Sequence, residues 1–205
     1  MPRTVPGERR QAILEAVAQM LERDEAVTTA ALARRLEVSE AALYRHFPSK
    51  ARMFEALLDF VEETLFPRLA AALAPTNGVF AGERYARALW LVLAFIEKNP
   101  GLARLLHGDG LAGEVERVRQ RGAQVVGKID AHMRQALRES EWRGELAISQ
   151  TAAAGLLLAV LEGRLARYIR TRFRELPTQD WDQLAAVLSA ALFREPAPDV
   201  QHSRD

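Results

Sequence analysis

At 205 residues, of which 49% are hydrophobic, the chain is long enough for one well-packed domain or a small head on a larger body. It has no cysteine, which excludes disulfides, thiolate metal sites and cysteine nucleophiles. The net charge of +1 gives no global attraction to a polyanion, so a nucleic-acid role has to rest on where charges are placed.

The first ten residues, MPRTVPGERR, lack the apolar core of a secretory signal. The longest apolar stretch, Thr151 to Leu161, stops at Glu162, well short of the ~20 residues that span a bilayer. The expectation is a soluble, intracellular chain with no membrane partner.

In chain order, helix follows helix. Glu8 to Arg23 places Ile13, Leu14, Val17 and Leu21 on one face. The stretch from Thr28 to Phe54, TTAALARRLEVSEAALYRHFPSKARMF, reads as two short helices joined by a tight turn, then the start of a third. Thr28 or Thr29 caps the first, because a side-chain oxygen there can accept an orphan backbone N–H. Glu37-Val38-Ser39 makes the turn, and Ser39 caps a second helix running to about His46. Leu43 and Phe47 point inward, leaving Glu40, Ala41, Ala42, Tyr44, Arg45 and His46 on the outer face. Pro48-Ser49-Lys50 ends that helix and begins another.

This is a helix-turn-helix whose second helix suits a DNA major groove. The plain alternative is an ordinary corner between two helices. A merely solvated face would carry Glu and Lys pairs, whereas here small residues allow close approach to base edges beside hydroxyl, imidazole and cationic groups. Thr29, Ser39, Tyr44, His46 and Lys50 are candidates for phosphate, with Thr28 beside them on the DNA-binding surface and Arg9 and Arg10 entering the first helix. Ala41, Ala42 and Arg45 are placed nearest the base edges, with Glu40 beside them. Residues 1–52 carry nine Lys or Arg against seven Asp or Glu, a net of +2, so two heads acting together are needed for tight binding.

Beyond the head, Lys50 to Leu73 carries Met53, Phe54, Leu57, Leu58, Val61 and Leu65, with Pro67 expected to bend or interrupt it. Pro75-Thr76-Asn77-Gly78 is a turn. Glu83 to Lys98 is apolar on most sides, and Asn99-Pro100-Gly101 breaks it before a short helix, Leu102 to His107. After the Gly108-Asp109-Gly110 loop come Glu114 to Ser140, Leu146 to Arg174 and Gln179 to Phe193, and residues 195–205 read as a disordered tail. The organisation is therefore a head over 1–52, a body over 53–194 and a tail over 195–205, all-α with about nine helices.

Gly155, Ala159 and Gly163 recur every four residues, a stripe on which another helix can sit closely. With Leu156 and Val160, and with Trp181, Leu184, Val187, Leu188, Ala191 and Leu192 on the last helix, this stripe suits a homodimer interface. Packing within the chain is the alternative. A two-fold dimer reads half-sites about one helical turn or a multiple apart, so its DNA is palindromic.

Catalytic chemistry finds little footing. His46, His107, His132 and His202 form no metal-binding pair, and His107 near Asp109 reads as a surface loop pair. Glu97-Lys98 and Glu162 read as helix-surface charges. No cofactor motif is present, and a non-enzyme is expected. Phe80, Trp90, Leu93 and Phe95 can line a ligand cavity or simply pack in the core; the first option makes the protein a repressor released from DNA by a small molecule.

LYRHFPSK followed by a long apolar helix resembles the TetR class of DNA-binding regulators. Within that class, ALYRHFPSKARMFEALLDFVEETL, FIEKNPGLARLLHGDGL and LEGRLARYIRTRFRELPTQDWD are similar, in order, to the SlmA family of nucleoid occlusion factors, and cover most of residues 9–194. The resemblance implies an all-α TetR-like fold with a three-helix head on a dimerisation body. It implies a cytoplasmic, nucleoid-associated homodimer that binds palindromic DNA and, while bound, engages the division GTPase FtsZ and blocks septal ring assembly. Matched motif to motif, the FtsZ surface takes Phe60 and Arg68 on one long helix and Leu91, Ala94, Lys98 and Asn99 on the next. Arg68 and Lys98 would pair with the acidic FtsZ tail, and Phe60 and Leu91 would receive its apolar side chains. Core packing for Phe60 and Leu91, and a solvated face for Arg68 and Lys98, are the alternatives. The chain departs from the family pattern with Pro67 before Arg68, Ala94 for a glycine and Lys98 for an arginine.

Overall fold

Hydroxyl side chains set where four of the helices begin. In a computed structural model that describes residues 6–76, 78–108 and 115–194, Thr28, Ser39, Ser49 and Ser149 each accept the backbone N–H three residues on. The helices among the described residues are α1 (Pro6–Glu22), α2 (Thr29–Arg35), α3 (Glu40–Tyr44), α4 (Lys50–Leu73), α5 (Ala81–Lys98), α6 (Pro100–His107), α7 (Val115–Trp142), α8 (Gln150–Arg170) and α9 (Trp181–Leu192). The all-α reading holds.

Four of the stops share one device. After α1, α2, α7 and α8 a left-handed residue (Asp24, Glu37, Gly144, Arg172) lets the following N–H reach back five residues to a helical carbonyl, at 2.8–2.9 Å. Only one of the four is glycine, so three stops lack the usual signature. This explains why α8 ends at Arg170 and not Arg174: Arg172 and Phe173 both have positive φ, 53° and 63°. At its other end α8 begins at Gln150 and not Leu146. Ala147 N–H donates to Leu192 O (2.9 Å) and Arg194 N–H to Glu145 O (2.8 Å), a short antiparallel bridge that holds Leu146 against Phe193. Asp180, also left-handed, moves the start of α9 to Trp181. Pro100 is the first residue of α6 and not part of a break, since a proline there forgoes only an N–H that has no helical partner.

Pro67 neither bends nor interrupts α4 enough to split it, and the helix is continuous from Lys50 to Leu73. The ring costs one backbone hydrogen bond, to the carbonyl of Glu63, and both residues are solvent-exposed, where water replaces the missing donor. α4 thereby crosses the expected head–body boundary at residue 52 without a joint. The core gathers Ile13, Val17 and Met20 from α1 with Met53, Phe54, Leu58 and Val61 from α4. Leu89, Leu93 and Ile96 from α5, Leu105 from α6, Val125 and Leu137 from α7 and Leu157 from α8 complete it. α5 is less enclosed than its composition suggests, because Trp90 is 44% exposed.

Ionic straps fasten the long helices. Glu62 of α4 accepts from Arg121 (2.6 Å) and Lys128 (2.8 Å) of α7, and the Arg121 hydrogen bond above all pulls its carboxyl down to about 2. Arg84, buried in α5, donates to Glu145 at 2.7 Å and so ties α5 to the α7–α8 turn. No helix among the described residues is long and apolar enough to cross a membrane. The expected tail, 195–205, and with it His202, lies outside the described residues, as does Asp109.

Candidate nucleic-acid interface and partner cleft

Leu43 and Phe47, both almost fully buried, anchor α3 and turn its other side outward. That side presents Glu40, Ala41, Tyr44 and Arg45 to solvent, with Ala42, His46 and Lys50 half-covered. Thr28 proves to be the cap of α2, accepting from Ala31 N at 3.1 Å. Thr29 acts differently. Its hydroxyl donates to the Glu40 carboxylate at 2.5 Å, pinning α2 to α3. Ser39 accepts from Ala42 N at 3.2 Å, and its O–H remains able to donate.

Arg10, expected among the phosphate contacts, holds its guanidinium 4.5 Å above the Phe47 ring. It therefore also braces α1 against the end of the recognition segment. Arg9 is half-covered beside it. Arg35 donates to Glu25 at 2.7 Å, closing the loop before α2. These braces join residues as many as 37 positions apart, and sequence spacing holds no sign of them.

The partner residues divide into two groups. α4 and α5 run antiparallel, so Phe60 meets Phe95, with ring centroids 6.3 Å apart. Phe60 is 43% exposed, so it is not a core residue. Phe60, Lys98 and Asn99 line one cleft of about 410 Å³ with Leu57 and the start of α6. Asn99 is held there by donating to Phe95 O at 2.7 Å. Arg68, Leu91 and Ala94 do not line this cleft; Arg68 is exposed further along α4, and Leu91 and Ala94 are half-buried on the α5 stripe that ends at Lys98.

The opposite wall of the cleft is α1, through Gln11, Leu14, Glu15, Ala18, Gln19 and Glu22. Sequence reasoning misses this wall. Its only mark is recurrence at helical spacing in a helix already assigned to the head. With Glu15 and Glu22 lining it beside Lys98, the cleft itself is not basic. Gly101 closes the floor, for a Cβ there would sit 2.1 Å from Ala18 O, so only glycine lets α6 approach α1 so closely.

On the dimer stripe, Gly155, Ala159 and Gly163 are exposed, Leu156 is 42% exposed, and a Cβ added at either glycine would meet nothing within 4 Å. The stripe is therefore not consumed by packing within the chain. Val160 is half-buried against the core. Trp181 and Leu188 need correcting, because both are 7% exposed and belong to the protomer's own core, with Leu184 packed against it. What α9 leaves open is the other face, where Val187 is 65% exposed.

The four residues grouped as a ligand lining do not converge. Leu93 is fully buried, Phe80 lies edge-on to Phe193 with centroids 6.4 Å apart, and Trp90 opens outward beside Thr178 and Asp180. His132 stacks on Phe66 with centroids 5.1 Å apart, a packing role. Among the described residues no three metal-binding side chains come together.

Comparison with known proteins agrees with this fold. Residues 13–57 match the family model for bacterial regulatory proteins of the tetR family, and residues 82–192 match the SlmA-like model described as the tetracyclin repressor-like C-terminal domain. The nucleoid occlusion factor SlmA of Marinomonas sp. is 44% identical over 190 residues, covering 91% of this chain and 95% of that protein. SlmA of Shewanella amazonensis is 46% identical over 180 residues, 85% of this chain and 90% of that one. Among solved structures, NalD of Pseudomonas aeruginosa, the secondary repressor of a multidrug efflux pump, superposes with a TM-score of 0.72 at 21% identity, covering 93% of this chain and 100% of that one. The fatty acid degradation regulator FadR of Bacillus halodurans does so with a TM-score of 0.73 at 12% identity, covering 92% and 97%. These two speak for the fold alone. With a helix-turn-helix head, a TetR-type helical body and relatives this similar over nearly its whole length, the chain belongs to the SlmA family of TetR-type DNA-binding regulators and is not an enzyme.

Proposed function

We propose that this protein is a nucleoid occlusion factor: a homodimer that binds palindromic chromosomal sites through α3 and, while on DNA, binds FtsZ and blocks septal ring assembly. The observation that carries the reading is the cleft in which Phe60, Lys98 and Asn99 meet, because one of its walls is α1 of the DNA-binding head. DNA contacts that position α1 therefore bear on the same surface that receives the partner. In this reading Arg9, Arg10, Thr28, Ser39, Tyr44, His46 and Lys50 serve the phosphates, and Ala41, Ala42 and Arg45 approach the bases. Thr29 and Glu40 act by fixing the angle between α2 and α3. Phe60 offers an exposed ring to an apolar side chain and Lys98 a cation to a carboxylate, while Arg68, Leu91 and Ala94 extend the surface along α4 and α5.

The test separates the two activities. Lys98→Asp and Arg68→Asp are each measured for binding to a palindromic duplex and to the C-terminal tail peptide of FtsZ from the same organism. Tail binding to the DNA-bound protein should be lost with DNA affinity kept within about twofold, because Arg68 and Lys98 lie on α4 and α5, outside the helix-turn-helix. Tail binding at the wild-type level in both variants would refute the assignment.

A further inference from the structure

An acidic partner fits poorly on the cleft alone, because Glu15 and Glu22 line it together with Lys98. Unsatisfied positive charge lies instead at the adjoining corner, where α8 ends. Arg170, Arg172 and Arg174 are all exposed there. Among the described residues none of the three has an ion-pair partner; Arg174 donates only to the backbone oxygen of Thr171, at 3.1 Å. The one carboxylate of this segment, Glu175, is taken by Arg167, and Arg164 donates to the carbonyls of Pro177 and Gln179.

The corner is built, not loose. Two successive non-glycine residues with positive φ, Arg172 and Phe173, are uncommon and costly. Phe173 is held by Tyr168, with ring centroids 4.9 Å apart, and by Arg104, whose guanidinium lies 5.4 Å from its ring. Arg104 also pairs with Asp24 at the end of α1. Tyr168 donates to Glu97 O at 3.0 Å, one residue before Lys98 of the cleft. The corner is thus stitched to the rim of the cleft on two sides.

We infer that Arg170, Arg172 and Arg174 form the anionic-contact half of the partner site and take the acidic part of a peptide whose apolar part lies in the cleft against Phe60. The inference rests on the FtsZ reading above. DNA is disfavoured as the occupant by position. α1 has its Arg10 end against Phe47 of the recognition segment and its Asp24 end at this corner, roughly 20 Å away at the helical rise. The contacts that hold the corner, from Arg104 of α6 and Glu97 of α5, are with the body.

The experiment measures binding of palindromic duplex to the full-length protein, and binding of fluorescently labelled FtsZ tail peptide to the protein saturated with that duplex, over a range of salt. The variants are Arg170→Gln/Arg172→Asn/Arg174→Gln, the same three positions changed to Lys, and Lys98→Asp. The neutral variant should bind the tail about tenfold more weakly with a flatter salt dependence, while the Lys variant stays near wild type. Its DNA affinity should be unchanged, which also shows that it is folded. Wild-type tail affinity in the neutral variant, with Lys98→Asp impaired, would overturn the corner and leave the cleft standing. No tail binding by the wild-type protein would remove the underlying reading and the corner with it. Loss of DNA affinity with tail binding intact would overturn the inference in favour of a DNA contact.

Discussion

Replacing Gly101 by alanine probes the joint between head and body. The added Cβ would lie 2.1 Å from Ala18 O, and real Cβ atoms keep at least 3.0 Å away, so α1 and α6 must separate by about 1 Å. A gap of that size forfeits a quarter to a half of each dispersion contact across the joint, and overpacking of this kind costs about 1–3 kcal/mol. The better helix propensity of alanine offsets at most about 1 kcal/mol, and less so near the α6 N-terminus. The net loss of about 1–2 kcal/mol corresponds to a Tm lowered by roughly 2–8 °C in a chain of this size. Thermal unfolding at fixed protein concentration measures it, because a dimer's Tm depends on concentration. Gly127→Ala is the control, since its Cβ meets nothing within 4 Å and helix propensity alone should hold or raise Tm. A Gly101→Ala protein as stable as wild type, or shifted in step with Gly127→Ala, would refute the close-approach argument.

Three other outcomes follow from the same geometry. Gly155→Leu/Gly163→Leu should leave the protomer's helicity intact, since both positions open outward, but raise the dimer dissociation constant tenfold or more in sedimentation equilibrium; an unchanged dimer would place the interface elsewhere. Ser39→Ala removes the 3.2 Å cap bond to Ala42 N and should cost about 1 kcal/mol of stability together with one phosphate contact per head, read as a shallower salt dependence of DNA binding. Glu62, with its folded pKa of about 2 below the unfolded value of 4.5, contributes stability that is present above pH 4.5 and lost as pH falls through 2. Glu62→Gln should therefore destabilise by about 1.5–3 kcal/mol at pH 7, with the difference from wild type closing between pH 4.5 and 2 in urea titrations; a difference independent of pH would contradict the strap.

What can be seen in the sequence is whatever depends on local chemistry. Ser39, Ser49 and the alternation of Leu43 and Phe47 with polar neighbours mark the head, because capping and helical periodicity act over a few residues. The ends of α8 and α9 escape such reasoning because Arg172, Phe173 and Asp180 take left-handed backbone without being glycine, and tertiary packing, not propensity, holds them there. Trp181 and Leu188 share an apolar stripe with Val187, and periodicity cannot say which edge of a stripe meets its own chain and which meets a second copy. The cleft is half legible: Phe60, Lys98 and Asn99 come from the resemblance, whereas the α1 wall with Glu15 and Glu22 is a product of the three-dimensional approach at Gly101.

The most direct test of nucleoid occlusion is sedimentation of GTP-assembled FtsZ from the same organism with this protein, in the presence and absence of palindromic DNA. The account predicts that pelleted polymer falls, or is remodelled, only when protein and DNA are both present. Unchanged polymer at saturating protein, with the DNA shown to be bound, would contradict it.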